Sequence, residues 1–307
     1  MASVGIVVRT RDRALFLERA LRDIADQTYA DWRVFLVNDG GDPAAVRAVV
    51  DRAGLGERAT VVDHATSSGR WPSANAGVRA ALAAGSSYLV LHDDDDTWAP
   101  GFLETAVAYL GAHPLAPGVV SRIEIVWEER RGDGYHETGR EEFQPQLPAP
   151  LLSDTLLFNR FVPIGFLYRR ELHDEIGFYD ESLSVVGDWE FNLRILSRWA
   201  LEYLGPEPLA FWHQRRSASG IDANSVIGDR ADHERYDALV RDAALRSYVA
   251  EHGAGLALYL AKLVDQRFFL LDRRVLEVEG RLRGGLAAAA VRWLRAGGPL
   301  RGRRSAG

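Results

Sequence analysis

Apolar and polar positions alternate in two rhythms along the first 112 residues. Val4 to Arg9 is a short β-branched run that turns polar, the pattern of a buried strand. Ala14 to Gln27 then places Leu15, Leu17, Ala20, Leu21, Ile24 and Ala25 at helical spacing. The exchange repeats. Strands are predicted over Arg33 to Val37, Ala59 to Val62 and Tyr88 to Leu91, and helices over Pro43 to Ala53, Ser73 to Ala84 and Pro100 to Ala112. Asp42 is expected to cap the second helix, with Pro43 at its first position. Strands alternating with helices predict an α/β fold, a Rossmann-type, mainly parallel sheet flanked by helices.

From Val119 the rhythm changes. Val119 to Glu128 reads as a long strand, and Arg130 to Pro150, charged and broken by Gly and Pro, as a mobile loop. Val162 to Tyr168 is predicted as a strand, Arg170 to Ile176 and Asp188 to Trp199 as short helices, and Leu209 to His213 as a last strand. A polar loop runs from Gln214 to Gly228, and the chain reads as helical from about Arg230. Leu256 to Leu282 carries a long amphipathic pattern, and Leu286 to Leu294 reads as a second, apolar helix. The boundaries that follow are 1–118 and 119–228, two halves of one unit, and 229–307, a helical C-terminal extension with a basic tail.

Composition narrows the chemistry. The 307 residues contain no cysteine, which excludes disulfides, thiolate metal sites and cysteine nucleophiles. The net charge of −6 argues against nucleic acid as a partner. Lys262, the single lysine, follows no glycine loop, so a P-loop is excluded. No apolar run reaches the ~18–20 residues of a membrane span, and no charged segment precedes Val4 as in a signal peptide. The expectation is a cytoplasmic address.

Ligands of parallel sheets gather beyond the carboxyl ends of the strands. Three polar clusters are predicted there: Thr10, Arg11 and Asp12 after the first strand, Asp39 after the second, and His92 with Asp93, Asp94, Asp95 and Asp96 after the fourth. Four consecutive aspartates cannot all ionise cheaply without a counter-charge, and Mg²⁺ or Mn²⁺ suits carboxylate oxygen. The bland alternative is a solvated acidic turn.

These segments together resemble glycosyltransferase family 2. Ile6 to Arg13 resembles its opening strand and loop, Val37-Asn38-Asp39-Gly40 its second-strand ending, and Gly69 to Gly77 its loop and helix with Asn-x-Gly. Leu91 to Pro100 resembles the Asp-x-Asp segment, Phe166 to Arg170 and Ile176 to Glu181 the acceptor-side segment, and Gly187 to Arg194 the helix with the catalytic acid. The resemblance spans roughly residues 3–220. It implies a GT-A fold and a metal-dependent, inverting transfer from a nucleotide-diphosphate sugar, a UDP-sugar first among them, to a hydroxyl of a glycan, lipid-linked or small-molecule acceptor, as in polysaccharide biosynthesis.

On that resemblance residues 1–118 hold the nucleotide sugar and 119–228 face the acceptor. Thr10, Arg11, Asp39, Arg70, Asn75, Asp93, Asp94 and Arg216 are expected around the donor. Asp95 is the first metal ligand, with Asp93, Asp96 and His213 beside it. Asp188 takes the place of the base that deprotonates the acceptor, with Glu190 as runner-up. Gly187 departs from the family pattern, which has an acid there. Asp39 read on its own could instead close an Asx turn, and Asp188 could cap its helix. Two other classes stay open: a non-catalytic nucleotide-sugar or glycan-binding module, and a nucleotidyltransferase. From Arg281 onward there are seven arginines and no acid. With the apolar helix they flank they suggest peripheral contact with the inner face of a membrane, or, alternatively, packing within the chain or a homo-oligomer.

Overall fold

The computed structural model describes residues 3–215 and 230–295. Its contacts divide the chain into two units, residues 1–240 and 241–307.

In the first unit, β1 (Val4–Thr10), β2 (Trp32–Asp39), β3 (Ala59–His64) and β4 (Tyr88–Asp93) form a parallel sheet in the order β3-β2-β1-β4. β1 lies between β2 and β4, with Val4 to Thr10 opposite Trp32 to Asn38 and Val4 to Arg9 opposite Tyr88 to Asp93. The near-continuous apolar runs of β1, β2 and β4 are buried on both faces, as a helix-covered parallel sheet requires, while the edge strand β3 is half-buried. The connecting helices are α1 (Ala14–Ala25), α2 (Pro43–Arg52), α3 (Arg70–Ala83) and α4 (Phe102–Ala112). Asp42 caps α2 as expected, accepting from the Ala44 N–H at 2.9 Å with Pro43 at the first position. α3 approaches the sheet closely because residue 77 is glycine. A Cβ there would lie 2.4 Å from Val7 Cγ1 and 3.2 Å from Val37 Cγ2.

Beyond β4 the sheet continues antiparallel through β8 (Phe166–Arg169) to β6 (Gly118–Arg131). β9 (Tyr203–Gln214) then runs parallel to β6, and the two-residue β5 (Thr97–Trp98) closes the edge against β9. The expected mobile loop over Arg130 to Pro150 is corrected. β7 (Gly134–Phe143) folds back on β6 as a hairpin, with Arg131 opposite Gly134 and Ile123 opposite Phe143. Most of β7 is exposed, so it lacks the apolar alternation that marks a half-buried strand. The predicted strand from Val162 begins instead with a 3-10 turn at Pro163–Gly165. Short helices α5 (Leu152–Thr155), α6 (Leu172–Ile176) and α7 (Gly187–Leu196) complete this side, and α8 (Arg230–His252) follows.

In the second unit the two helices expected over 256–294 are one, α9 (Gly255–Arg295). Gly284 and Gly285 do not interrupt it. No helix among the described residues is long and apolar enough to cross a membrane.

Candidate active site

The carboxyl ends of β1, β2 and β4 bring Thr10, Asp39 and Asp93 to one edge of the sheet, and the chain turns there through the remaining aspartates. Asp94, Asp95 and Asp96 are buried. Burial disfavours their charge, and the chain supplies arginines in answer. Arg13 bridges Asp94 (Nη1 to Oδ1, 2.7 Å) and Asp95 (Nη2 to Oδ2, 2.6 Å). Arg215 reaches the same Asp95 oxygen and, at 3.2 Å, Glu128. Arg19 pairs with Glu128 and donates to the Asp95 carbonyl at 2.5 Å. Arg9 pairs with Asp93 and stacks over Trp71 at 5.2 Å.

The four carboxyls are therefore not equivalent. Burial works against ionisation of Asp95, but Arg13 and Arg215 outweigh it and hold its carboxyl well below the usual range. Burial pushes Asp94 up to about 7 against the opposing pull of Arg13, with repulsion from Asp95 adding to the rise. Asp96 is raised by burial and by its acidic neighbours, and it accepts the His213 N–H at 2.9 Å. Thr10 donates to Asp94 at 2.7 Å.

The expected cation ligands are not arranged as a cation site. Asp95 Oδ2 is shared between two guanidiniums. His213 lies 2.9 Å from Glu128 through Nδ1 and 2.8 Å from Thr97 Oγ1 through Nε2. Burial lowers the His213 pKa, and burial-opposed ionisation of Glu128 is favoured by His213 and Arg19, which hold Glu128 down at about 2. Glu128 is then an acceptor, which places the imidazole proton on Nδ1 and turns the Nε2 lone pair toward the threonine hydroxyl. Among the described residues no three acidic or histidine side chains converge as metal ligands. The oxygen chemistry suits a hard cation, but as arranged the residues do not fit one, because arginines already occupy the central carboxylate.

Asp39 staples the next loop. It accepts from Ser67 Oγ (2.6 Å), the Ser68 N–H (2.7 Å), Ser68 Oγ (3.0 Å) and the Gly69 N–H (3.1 Å), with His64 Nδ1 at 3.2 Å. Partial burial opposes its charge, but these bonds prevail and hold it well below the usual carboxylate range. Asn75 is buried and ties α3 to the acceptor-side segment, donating to the Tyr179 carbonyl (2.9 Å) and Glu181 (2.8 Å) and accepting from the Tyr179 N–H (3.0 Å). Arg11 is exposed in the loop after β1, and the Arg70 carbonyl accepts from Arg9 at 3.2 Å. Arg216 lies outside the described residues.

Asp188 stands in the first turn of α7. Asn159 donates to its Oδ2 at 2.8 Å and is itself held by Asn192 at 2.9 Å. Burial raises the Asp188 pKa; the Trp189 N–H opposes this, the Asp93 charge adds to it, and Arg9 opposes it. Those influences place Asp188 in the same electrostatic neighbourhood as the end of β4. Gly187 has a steric reason. A Cβ there would meet the Trp71 indole at 2.6 Å, so the ring of α3 requires glycine where the family pattern has an acid. Val186, just before it, holds φ of 58°. That conformation is costly for a β-branched residue and fixes the entry to α7. The buried Trp71 Nε1 has no hydrogen-bond partner among the described residues. Glu190, the runner-up base, is clasped by Arg194 through two bonds of 2.8 Å.

Arg9, Arg13, Arg19, Arg215 and Glu128 were not singled out from the sequence. The signal for Arg215 was its place directly after the His213 strand end, beside Arg216.

Known proteins agree with this architecture. The sequence model of the family described as "Glycosyl transferase family 2" matches residues 3–177. The chain is 33% identical over 193 residues to an uncharacterized glycosyltransferase, YwdF, of Bacillus subtilis, covering 62% of this chain and 67% of that one. It is 30% identical over 199 residues to a PGL/p-HBAD biosynthesis glycosyltransferase of Mycobacterium tuberculosis, covering 64% and 71%. Among solved structures, residues 1–349 of S. aureus TarS superpose with a TM-score of 0.52 at 18% identity, over 69% of this chain and 60% of that one. The TarS fragment has also been solved with UDP-GlcNAc, and there the TM-score is 0.54 at 15% identity. At such identity the likeness is one of fold. The motif order, the parallel sheet with its acidic edge and the match over residues 3–177 converge: the chain belongs to glycosyl transferase family 2.

Proposed function

We propose that this chain transfers a sugar, with inversion, from a nucleotide-diphosphate donor to an acceptor hydroxyl, and that Asp188 is the base. The observation that carries the proposal is the half-buried acid at the start of α7, held by Asn159 and electrostatically linked to Asp93 at the end of β4. A carboxyl with a raised pKa is a better proton acceptor than an ordinary one. The relatives named above support a nucleotide-sugar donor, and TarS was solved with UDP and UDP-GlcNAc, which makes a UDP-sugar the first donor to test.

The arginines suit the donor's charge. A diphosphate at the β1–β4 edge meets Arg9 and Arg13, and guanidiniums bind phosphate oxygens as paired donors. Thr10, Arg11 and Arg70 line the approach from the β1 and α3 loops. Asp39 and Asn75 act by holding the 64–69 loop and the 179–181 segment in place. Divalent-cation dependence, expected from the family, requires Asp95 to be released by Arg13 and Arg215.

Incubating the chain with a panel of nucleotide sugars, with and without Mn²⁺, tests the reading. Slow release of the nucleoside diphosphate from one donor supports it. Formation of a nucleoside triphosphate and sugar 1-phosphate once pyrophosphate is added would make the chain a nucleotidyltransferase, and binding without turnover a recognition module.

A further inference from the structure

We infer that α9 pairs with a second copy of itself, parallel and in register, as a coiled coil. Val264, Phe268, Leu271, Val275, Val278 and Leu282 follow one another at alternating steps of four and three residues along this helix. That is the a/d repeat of a heptad seam, with Phe268, Val275 and Leu282 at a and Val264, Leu271 and Val278 at d. Ala257 and Ala261 extend the seam by two smaller positions toward the N-terminus of the helix. The six larger side chains are 48% to 62% exposed, so this stripe lacks the cover that its composition calls for.

The charges flanking the seam name the occupant. Over residues 264–282 the e positions are Asp265, Asp272 and Glu279, all acidic, while in the alanine extension Leu258 at e and Leu260 at g are apolar. The g positions Arg267, Arg274 and Arg281 are all basic. Two parallel helices bring g of one copy beside the following e of the other, which sets Arg267 against Asp272 of the second copy and Arg274 against Glu279 of the second copy. Antiparallel helices would set g against g and e against e, arginine on arginine and acid on acid. Exclusive separation of sign between the two flanks is thus complementary to itself only in the parallel arrangement. A membrane surface accounts for the apolar stripe but gives no reason for a row of acids along one side of it. Phe269, Leu270 and Leu276 fall at b and c, off this seam.

The test uses the full chain. Light scattering should give a multiple of the 34.0 kDa chain mass. The variant Arg267→Glu/Arg274→Glu/Arg281→Glu should fall to the monomer mass, as should Asp265→Arg/Asp272→Arg/Glu279→Arg, and an equimolar mixture of the two should recover the larger mass. The chain has no cysteine, so Leu282→Cys reports direction cleanly. It should oxidise to a crosslinked dimer, whereas antiparallel helices would hold the two sulfurs roughly 27 Å apart, the length of the 264–282 seam. A wild-type monomer at micromolar concentration, whether or not it sediments with anionic vesicles, would overturn the inference. So would charge-reversed variants that keep the wild-type mass.

Discussion

The sheet edge around Asp95 and the long helix α9 treat charge and apolar surface in opposite ways. At the sheet edge polar groups are buried, and every one of the acids Asp93, Asp94, Asp95 and Glu128 is met by an arginine from a distant part of the chain. Along residues 264–282 of α9 the acids and arginines face solvent and the apolar side chains do too. Buried charge has to be compensated within the fold, because the cost of leaving it alone is several kcal/mol. Exposed apolar surface sets a requirement that a second molecule can meet. The first region is complete as a preorganised polar site, and the second is organised for association.

The largest effect expected at the sheet edge is on turnover. Asp188→Asn keeps the shape and the Asn159 contact but cannot take a proton, and removal of a general base typically costs ~10²–10⁴ in rate. Steady-state kinetics should show that loss with donor affinity nearly unchanged. In the wild-type chain activity should fall as pH drops through the raised Asp188 pKa, so the acid limb lies above the ordinary carboxyl range. If Asp188→Asn turned over within a few fold of wild type, Asp188 would be only a helix-start residue.

Compensation itself is tested by Asp95→Asn. It takes the Asp95 charge away from the buried Arg215, whose ion pair with Glu128 stays. Breaking a buried pair from one side costs about 3–5 kcal/mol, which for a unit of this size lowers the unfolding midpoint by about 10 °C. Calorimetry should show that shift together with weakened donor binding. An unchanged midpoint would mean that the arginine pairing does little for the fold.

Gly187→Ala asks whether Trp71 sets the position of α7. The added methyl meets the indole, and overpacking of this kind costs roughly 1–3 kcal/mol. Turnover should fall further than donor binding, because α7 carries Asp188. Equal turnover would separate Trp71 from the placement of the base.

The smallest effect concerns acid stability. Glu128 titrates at about 2 in the fold against 4.5 as its ordinary value. A depressed carboxyl contributes stability above its unfolded pKa and loses it as pH falls toward the folded one. The wild-type chain should lose stability between pH 4.5 and 2 more steeply than Glu128→Gln, as followed by denaturant midpoints across that window.

The parallel half of the fold was legible because its strands β1, β2 and β4 are buried on both faces and leave short β-branched runs. Asp42-Pro43 announced α2, and the aspartates after β4 announced the acidic turn at the sheet edge. The hairpin strand β7 was not legible, since an exposed edge strand places polar residues on both faces and Gly134 and Gly139 read as loop. The arginine shell was hidden for another reason. Almost every basic residue in the chain is arginine, so nothing local distinguishes Arg13, Arg19 or Arg215. Glu128 becomes part of the site only when β6 lies beside β9, which brings it to His213 and Arg215. Gly187 looked like a departure from the family pattern until Trp71 was in place beside it.

The central claim is that Asp188 activates an acceptor on the face of the sugar opposite the leaving diphosphate. Proton NMR of slow donor hydrolysis, with water as the acceptor, tests it directly. The sugar first released should have the anomeric configuration opposite to that of the donor. Release of the same configuration, before mutarotation sets in, would contradict a single inverting displacement and remove the role assigned to Asp188.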